Sequence, residues 1–392
     1  MSGPFDLAGV RGDARSKEQL EDFGEHPFEE PLAVLLDSYA AAPLNDLGVH
    51  LLRGGVVHSL RMRLRAEEWF RRHPEIADEV IGAPIVVVGM MRSGTTLVQR
   101  LLAADPRLHC AYGWEVSQVA PPLDIDWARV DPRIAATEAR EEQTRAFVPE
   151  LFAIHPMYAR EAEEEIMFLA DAFLSHVPES AAHVPTYRSW IDGQDFAPAY
   201  RHLHRMLQLL QWQKRQRGAT ADRWVLKTPA HLGYLQDLRV EFPDLHVVHT
   251  HRDPVETIPS GASLNATMRA MHTDVVDRAV IGAEWIERMG WTNDRALATR
   301  DAWAAEPSLV TDIAFDDAVA DPFGQVARVY DTIGLGLSEE AEISIRHWYE
   351  HRPRESVDRP RYTPEEFGLT EGRIKERFAP YNRRFRPALE DG

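Results

Sequence analysis

The chain has 392 residues, 44% of them hydrophobic, and a formal net charge of −18. Such a composition belongs to a soluble globular protein of one large or two closely joined domains, and the acidic balance disfavours nucleic acid or an anionic membrane as a partner. The single cysteine, Cys110, excludes an intrachain disulfide and fits a reducing cytoplasm; with neither a leader-like N-terminus nor a stretch apolar enough to span a membrane, a cytoplasmic location is expected.

No internal repeat or low-complexity tract interrupts the chain. Residues 1 to about 18 are polar and are expected to be loosely attached. From about Phe28 to Val80 the pattern is helical, with Leu32, Leu35, Leu36 and Tyr39 on one apolar face and Leu60, Leu64, Trp69 and Phe70 in a later helix. Arg61, Arg63, Arg65, Arg71 and Arg72 make that later helix basic, which reads as a solvated or acid-paired face. Residues 1–83 thus form an N-terminal helical region.

Ile85 to Val88 is a buried parallel strand that stops at Gly89 and leads into a helix opening at Thr96. A strand, a glycine-bracketed loop and a helix start together make an anion cradle, because backbone N–H groups converge at a positive helix end. Gly89, Gly94 and Thr96 fall where a Walker A loop has its glycines and hydroxyl, but its lysine position holds Thr95. That substitution argues against a nucleoside triphosphate. The positive charge lies instead at Arg92. Residues 131–217 are helical and strand-poor, an insert expected to shape the substrate pocket.

Arg223 to Lys227 reads as a second strand, Pro229 starts a helix marked by Leu232, Tyr234, Leu235 and Leu238, and Leu245 to Thr250 is a third strand leading to Arg252-Asp253-Pro254. A right-handed βαβ crossover brings both strand ends to one edge of a parallel sheet, where ligands bind. Lys227 and Arg252 are therefore expected beside the Arg92 loop. The fold class is α/β, a three-layer P-loop-like arrangement with a central parallel sheet flanked by helices.

Met91-Arg92-Ser93-Gly94-Thr95-Thr96-Leu97 resembles the 5′-phosphosulfate loop of the sulfotransferases that use 3′-phosphoadenosine-5′-phosphosulfate (PAPS). Arg252-Asp253-Pro254, with Ser260 eight positions after the arginine, resembles the family's 3′-phosphate site, and Leu226-Lys227-Thr228 resembles its strand-end lysine. The resemblance runs from about residue 84 to 385, a sulfotransferase domain, and leaves 386–392 as a tail. Further on it includes the strand around Leu309 to Asp317 and a C-terminal helix from Phe367 to Tyr381.

The resemblance implies transfer of a sulfuryl group from PAPS to a hydroxyl of a small acceptor, a lipophilic alcohol or phenol being one candidate class, with release of 3′-phosphoadenosine-5′-phosphate (PAP) and no metal. Arg92, Ser93, Gly94, Thr95, Thr96, Lys227, Arg252 and Ser260 would hold the donor. Glu115, just past a short strand as in the protein-tyrosine sulfotransferases, is the expected general base. His231 is the rival, displaced by two residues from the lysine-threonine-histidine run of the cytosolic enzymes. His155, His249 and His251 read as structural, and no metal-ligand spacing is seen.

Two features of the family are missing. No aromatic follows Thr96 for the adenine, and no C-terminal glycine-rich basic loop is present, so Arg373, Lys375 or Arg377 are the substitutes to consider. Competing readings are a P-loop kinase or NTPase, with Asp312 or Asp316 as metal-binding carboxylate, and a catalytically silent nucleotide-binding protein.

Overall fold

A computed structural model describes residues 3–25, 27–353 and 361–390. Five parallel strands form one sheet: β1 (Ile85–Gly89), β2 (Leu108–His109), β3 (Arg223–Lys227), β4 (His246–His251) and β5 (Val310–Ala314), in the spatial order β2-β3-β1-β4-β5. All five residues of β1 are buried, as expected for a continuous Ile-Val-Val-Val run covered by helices on both faces.

In chain order the helices are α1 (Leu7–Glu18), α2 (Glu29–Ala41), α3 (Asp46–Arg72), α4 (Thr95–Ala103), α5 (Gly113–Ser117), α6 (Pro132–Phe147), α7 (Pro149–Ile154), α8 (Ile166–Asp171), α9 (Val177–Ala181), α10 (Pro185–Ile191) and α11 (Ala197–Gln216). After β3 come α12 (Leu235–Glu241), α13 (Pro254–Ala270), α14 (Arg278–Ala302), α15 (Phe315–Ala320), α16 (Pro322–Ile333), α17 (Glu339–His351), α18 (Glu371–Arg377) and α19 (Ala379–Glu390). The expected helix after Pro229 begins as a 3₁₀ turn, Pro229–Tyr234, before α12.

The chain start is not loose. Val10 and Ala14 of α1 are fully buried, and Glu18 pairs with Arg61 and Arg65 of α3 at 2.5 Å each. The basic face of α3 is thus acid-paired: Arg71 and Arg72 grip Glu68, and the buried Arg63 lies 4.3 Å over the Phe28 ring. One apolar core runs from Phe5 through Leu60, Leu203 and Leu226 to Phe385, so the N-terminal helices and the sheet share it. At the other end α19 continues to Glu390, into the segment expected as a tail.

β1 is the switch point. From it the chain crosses to β2 and β3 on one side and to β4 and β5 on the other, so the carboxyl ends of β1, β3 and β4 lie side by side. Val87 pairs with Lys227 and Gly89 with Thr250 in the sheet register. A crevice opens at such a point, outside the carboxyl ends of the strands.

Candidate active site

The loop after β1 needs both of its glycines. A Cβ on Gly89 would lie 2.6 Å from Ser93 Oγ, and Gly94 has φ +92° with the Phe315 ring 2.9 Å from where its Cβ would stand. Gly94 caps α4, and the first turn carries Thr95 and Thr96 into a cavity of about 490 Å³. Ser93 turns the other way. Its hydroxyl donates to the Met90 carbonyl at 2.6 Å and meets Thr250 Oγ1 at 2.8 Å, and its amide donates to the Met90 carbonyl at 3.1 Å. It therefore shapes the loop from behind, and its N–H is not part of the expected cradle.

The distant basic residues do converge on the loop. Lys227 Nζ lies 3.3 Å from Thr96 Oγ1, although the side chain is almost wholly buried. Arg252 donates from Nη1 to the Arg92 carbonyl at 3.1 Å, pairs with Glu256 at 2.5 Å, and covers Phe315 with 4.0 Å from guanidinium to ring centroid. Arg92, at φ +73°, donates from Nε to Ser260 Oγ at 3.1 Å and from Nη1 to the Ile154 carbonyl at 2.7 Å. Its guanidinium is thus drawn to Ser260 and to the end of α7.

Glu115 is placed elsewhere. Its carboxylate accepts from the Tyr112 amide at 2.9 Å, closing a capping box on α5, and takes Lys214 Nζ at 2.6 and 2.8 Å. Only 2% of the residue is exposed. It lines a different cavity, of about 710 Å³, which shares Arg100 and Trp348 with the first but not the anion loop. A five-residue helix that needs its orphan amide capped explains the glutamate without catalysis.

His231 is also committed. Fully buried, it meets Glu165 Oε1 at 2.7 Å through Nε2 and Tyr200 Oη at 3.0 Å through Nδ1. Glu165 in turn accepts from the Lys227 amide at 3.0 Å, so His231 braces the end of β3. His249 and His251 belong to the core as expected. Burial pushes both below the ordinary imidazole range, and Asp312, held by His251 and doubly by Arg300 at 2.9 and 2.8 Å, is clamped as a structural carboxylate. Arg373, Lys375 and Arg377 pair with Glu287, Glu371 and Asp294 and line neither cavity.

The group that sequence reasoning missed is Glu164. It accepts from Lys227 Nζ at 2.7 Å and lies 3.7 Å from His155 Nε2, and both Glu164 and His155 line the cavity that Thr95 and Thr96 enter. Burial raises the Glu164 carboxyl, but the charge of Lys227 and the His155 contact outweigh it and hold the group at about 2. Burial likewise lowers His155, yet Glu164 and Glu163 leave it above its ordinary range.

His155, Glu163 and Glu164 present ligand atoms within 4.8 Å of one another, a grouping invisible in sequence spacing, and Lys227 supplies the positive charge among them. The three successive acids 163–165 look like a solvated charge run. An extended segment bridged to Tyr112 instead sends Glu164 to the cavity and Glu165 into the core. The available signal was a histidine and an acid run in the same insert, which points nowhere without the fold.

Comparison with known proteins bears on the family and the fold. Residues 84–339 match the model of the sulfotransferase family. The chain is 24% identical over 336 residues, 80% of its length and 81% of the relative's, to the omega-hydroxy-beta-dihydromenaquinone-9 sulfotransferase Stf3 of Mycobacterium bovis, and equally to the same-named protein of Mycobacterium tuberculosis. Among solved structures, sulfotransferase STF1 of Mycobacterium tuberculosis is 32% identical with a TM-score of 0.83, covering 96% of this chain and 98% of the other. Sulfotransferase STF9 of Mycobacterium avium superposes with a TM-score of 0.86 at 24% identity, covering 96% of each, and shares the fold. With the family model matching well over half of its length, the chain belongs to the sulfotransferase family.

Proposed function

We propose that this sulfotransferase moves a sulfuryl group from PAPS to the hydroxyl of a small lipophilic acceptor by in-line transfer, releasing PAP. The observation that carries the reading is the position of Lys227, whose Nζ stands between Thr96 Oγ1 at 3.3 Å and Glu164 Oε1 at 2.7 Å. A cation there touches both the anion cradle and a carboxylate.

The residues suit the donor. Gly94, Thr95 and Thr96 would receive the 5′-phosphosulfate at the start of α4, and Arg252, Ser260 and Arg92 would hold the 3′-phosphate, where a guanidinium grips two oxygens at once. Lys227 offsets charge on the bridging oxygen as the bond to PAP breaks. Glu164 takes the acceptor's proton, the role first expected of Glu115 or His231. While Lys227 sits on it, Glu164 is too acidic for that task. Once Lys227 turns to the sulfuryl oxygens, the largest opposing charge is gone and burial raises the carboxyl toward a working value.

The acceptor reading rests on the relative named for a hydroxylated menaquinone and on the cavity wall formed by Met91, Ile154, Pro156 and Tyr158. No helix among the described residues is long and apolar enough to cross a membrane. A cytoplasmic setting belongs to the proposal and is supported by the one buried thiol.

Thermal unfolding with saturating PAP, or with ATP and magnesium, tests the donor. PAP at 100 times its Kd should add about 2.7 kcal/mol of stability, and ATP with magnesium should add none. Stabilisation by ATP alone would sink the reading.

A further inference from the structure

We propose that Arg92 is a positioning residue for the acceptor side as well as a donor ligand: it holds the cap segment 149–158 in the donor-free chain and releases it to a 3′-phosphate, so that the acceptor binds second. The inference rests on the donor assignment above.

The cap is short. α7 has six residues, of which Leu151, Phe152, Ala153 and Ile154 are buried, and Leu151 and Ile154 share a small cluster with Leu264, apart from the main core. A segment of this size can open without unfolding the core. At its C-terminal end one polar tie runs to the loop after β1 and another to Glu164. The Ile154 carbonyl, one of the last-turn carbonyls of α7, accepts from Arg92 Nη1 at 2.7 Å, and His155 reaches Glu164, which Lys227 holds. Each tie ends on a cation that the donor claims.

Arg92 is poised for the exchange. Its left-handed φ of +73° is uncommon for a residue with a side chain and marks a conformation that surrounding contacts maintain. Its Nε already contacts Ser260 Oγ at 3.1 Å, while its carbonyl takes Arg252 Nη1 at 3.1 Å. A phosphate resting on Ser260 and Arg252 therefore meets the Arg92 guanidinium directly. A doubly bonded phosphate is a stronger acceptor for that guanidinium than the neutral Ile154 carbonyl. The phosphate takes the arginine, and the cap loses its tie.

Hydrogen exchange read by mass spectrometry on the whole chain tests this, with calorimetry reporting which ligand is bound. Bound PAP should speed exchange of peptides within 149–158 by roughly tenfold, equivalent to about 1.4 kcal/mol. Adenosine 5′-phosphosulfate, which lacks the 3′-phosphate, should bind without that effect. The variant Arg92→Gln should exchange fast in this segment without ligand and respond no further to PAP. Unchanged or slowed exchange with PAP bound overturns the proposal, as does equal loosening by both ligands. A chain that fails to bind PAP removes the donor assignment itself, and its trigger with it.

Discussion

Two partly buried lysine–glutamate pairs of similar contact distance serve different ends. Lys214 lies 2.6 and 2.8 Å from the Glu115 oxygens, and Lys227 lies 2.7 Å from Glu164. What separates them is the rest of each lysine's reach. Lys214 faces the rings of Tyr112 and Trp224, and its glutamate also caps α5. Lys227 touches Thr96, and its glutamate lines the donor cavity. An ion pair is thus a site only where one partner can exchange it for a ligand.

Replacing each lysine by methionine breaks the comparison most sharply. Lys227→Met should lower sulfuryl transfer by about 10²–10³ or more, the scale for losing one donor to a developing charge. Lys214→Met should leave turnover of the folded enzyme within a few-fold. Its cost is stability, about 3–5 kcal/mol, because Glu115 is left charged and alone in a buried place. Urea unfolding and labelled-donor assays on both variants give the two readouts. A large turnover loss in Lys214→Met with normal stability would return Glu115 to catalysis.

The glutamates give the next test. Glu164→Gln should retain PAP affinity while turnover falls by roughly two to four decades, the range for removing a general base. Glu115→Gln keeps much of the capping geometry, so its effect should appear in the unfolding midpoint and not in the rate.

Which half of the site was legible follows from how each half is built. The donor side is made of strand ends, and strand ends carry local signals: the Ile85 to Val88 run, Gly89 and Gly94, Lys227 closing an apolar stretch, Arg252 before a proline. Parallel-sheet topology alone then brings them together. The facing wall of the cavity is assembled from 149–158 and 161–165, joined to each other through side chains and to the 111–115 stretch through the isolated bridge between Tyr112 and Ala162. No period of 2 or 3.6 announces such a junction. Glu115 fitted the position that the resemblance implies yet is needed for a cap, and Glu164 stands in a run of three glutamates that no motif marks.

Arg252 offers a smaller test of the donor half. Arg252→Ala should weaken PAP binding by about 1.5–3 kcal/mol in a calorimetric titration, since it removes charge-assisted hydrogen bonds to one phosphate. The same change frees Glu256 and uncovers Phe315, contacts that lie largely at the surface. Unfolding stability should therefore barely move. An unaltered affinity would take Arg252 out of the 3′-phosphate site and leave Arg92 and Ser260 to hold it.

The mildest test uses acid on the donor-free chain. The Glu164 carboxyl is raised by burial but lowered further by Lys227 and His155, to about 2, so the folded state binds its proton later than the unfolded state does. That stabilisation is complete above the ordinary carboxylate range and disappears as pH falls from there toward about 2. Buried histidines act in a higher window. Burial holds His58, His109 and His246 at about 4, so the unfolded chain takes up their protons first and stability declines as pH drops from about 6.5 to 4. Subtracting Glu164→Gln from the unmodified chain cancels the histidines. The difference in unfolding free energy should shrink by on the order of 2 kcal/mol between pH 5 and pH 2. A flat Glu164 difference would mean that Lys227 does not rest on Glu164 in the empty site, and the exchange of partners at the centre of the mechanism would lose its starting point.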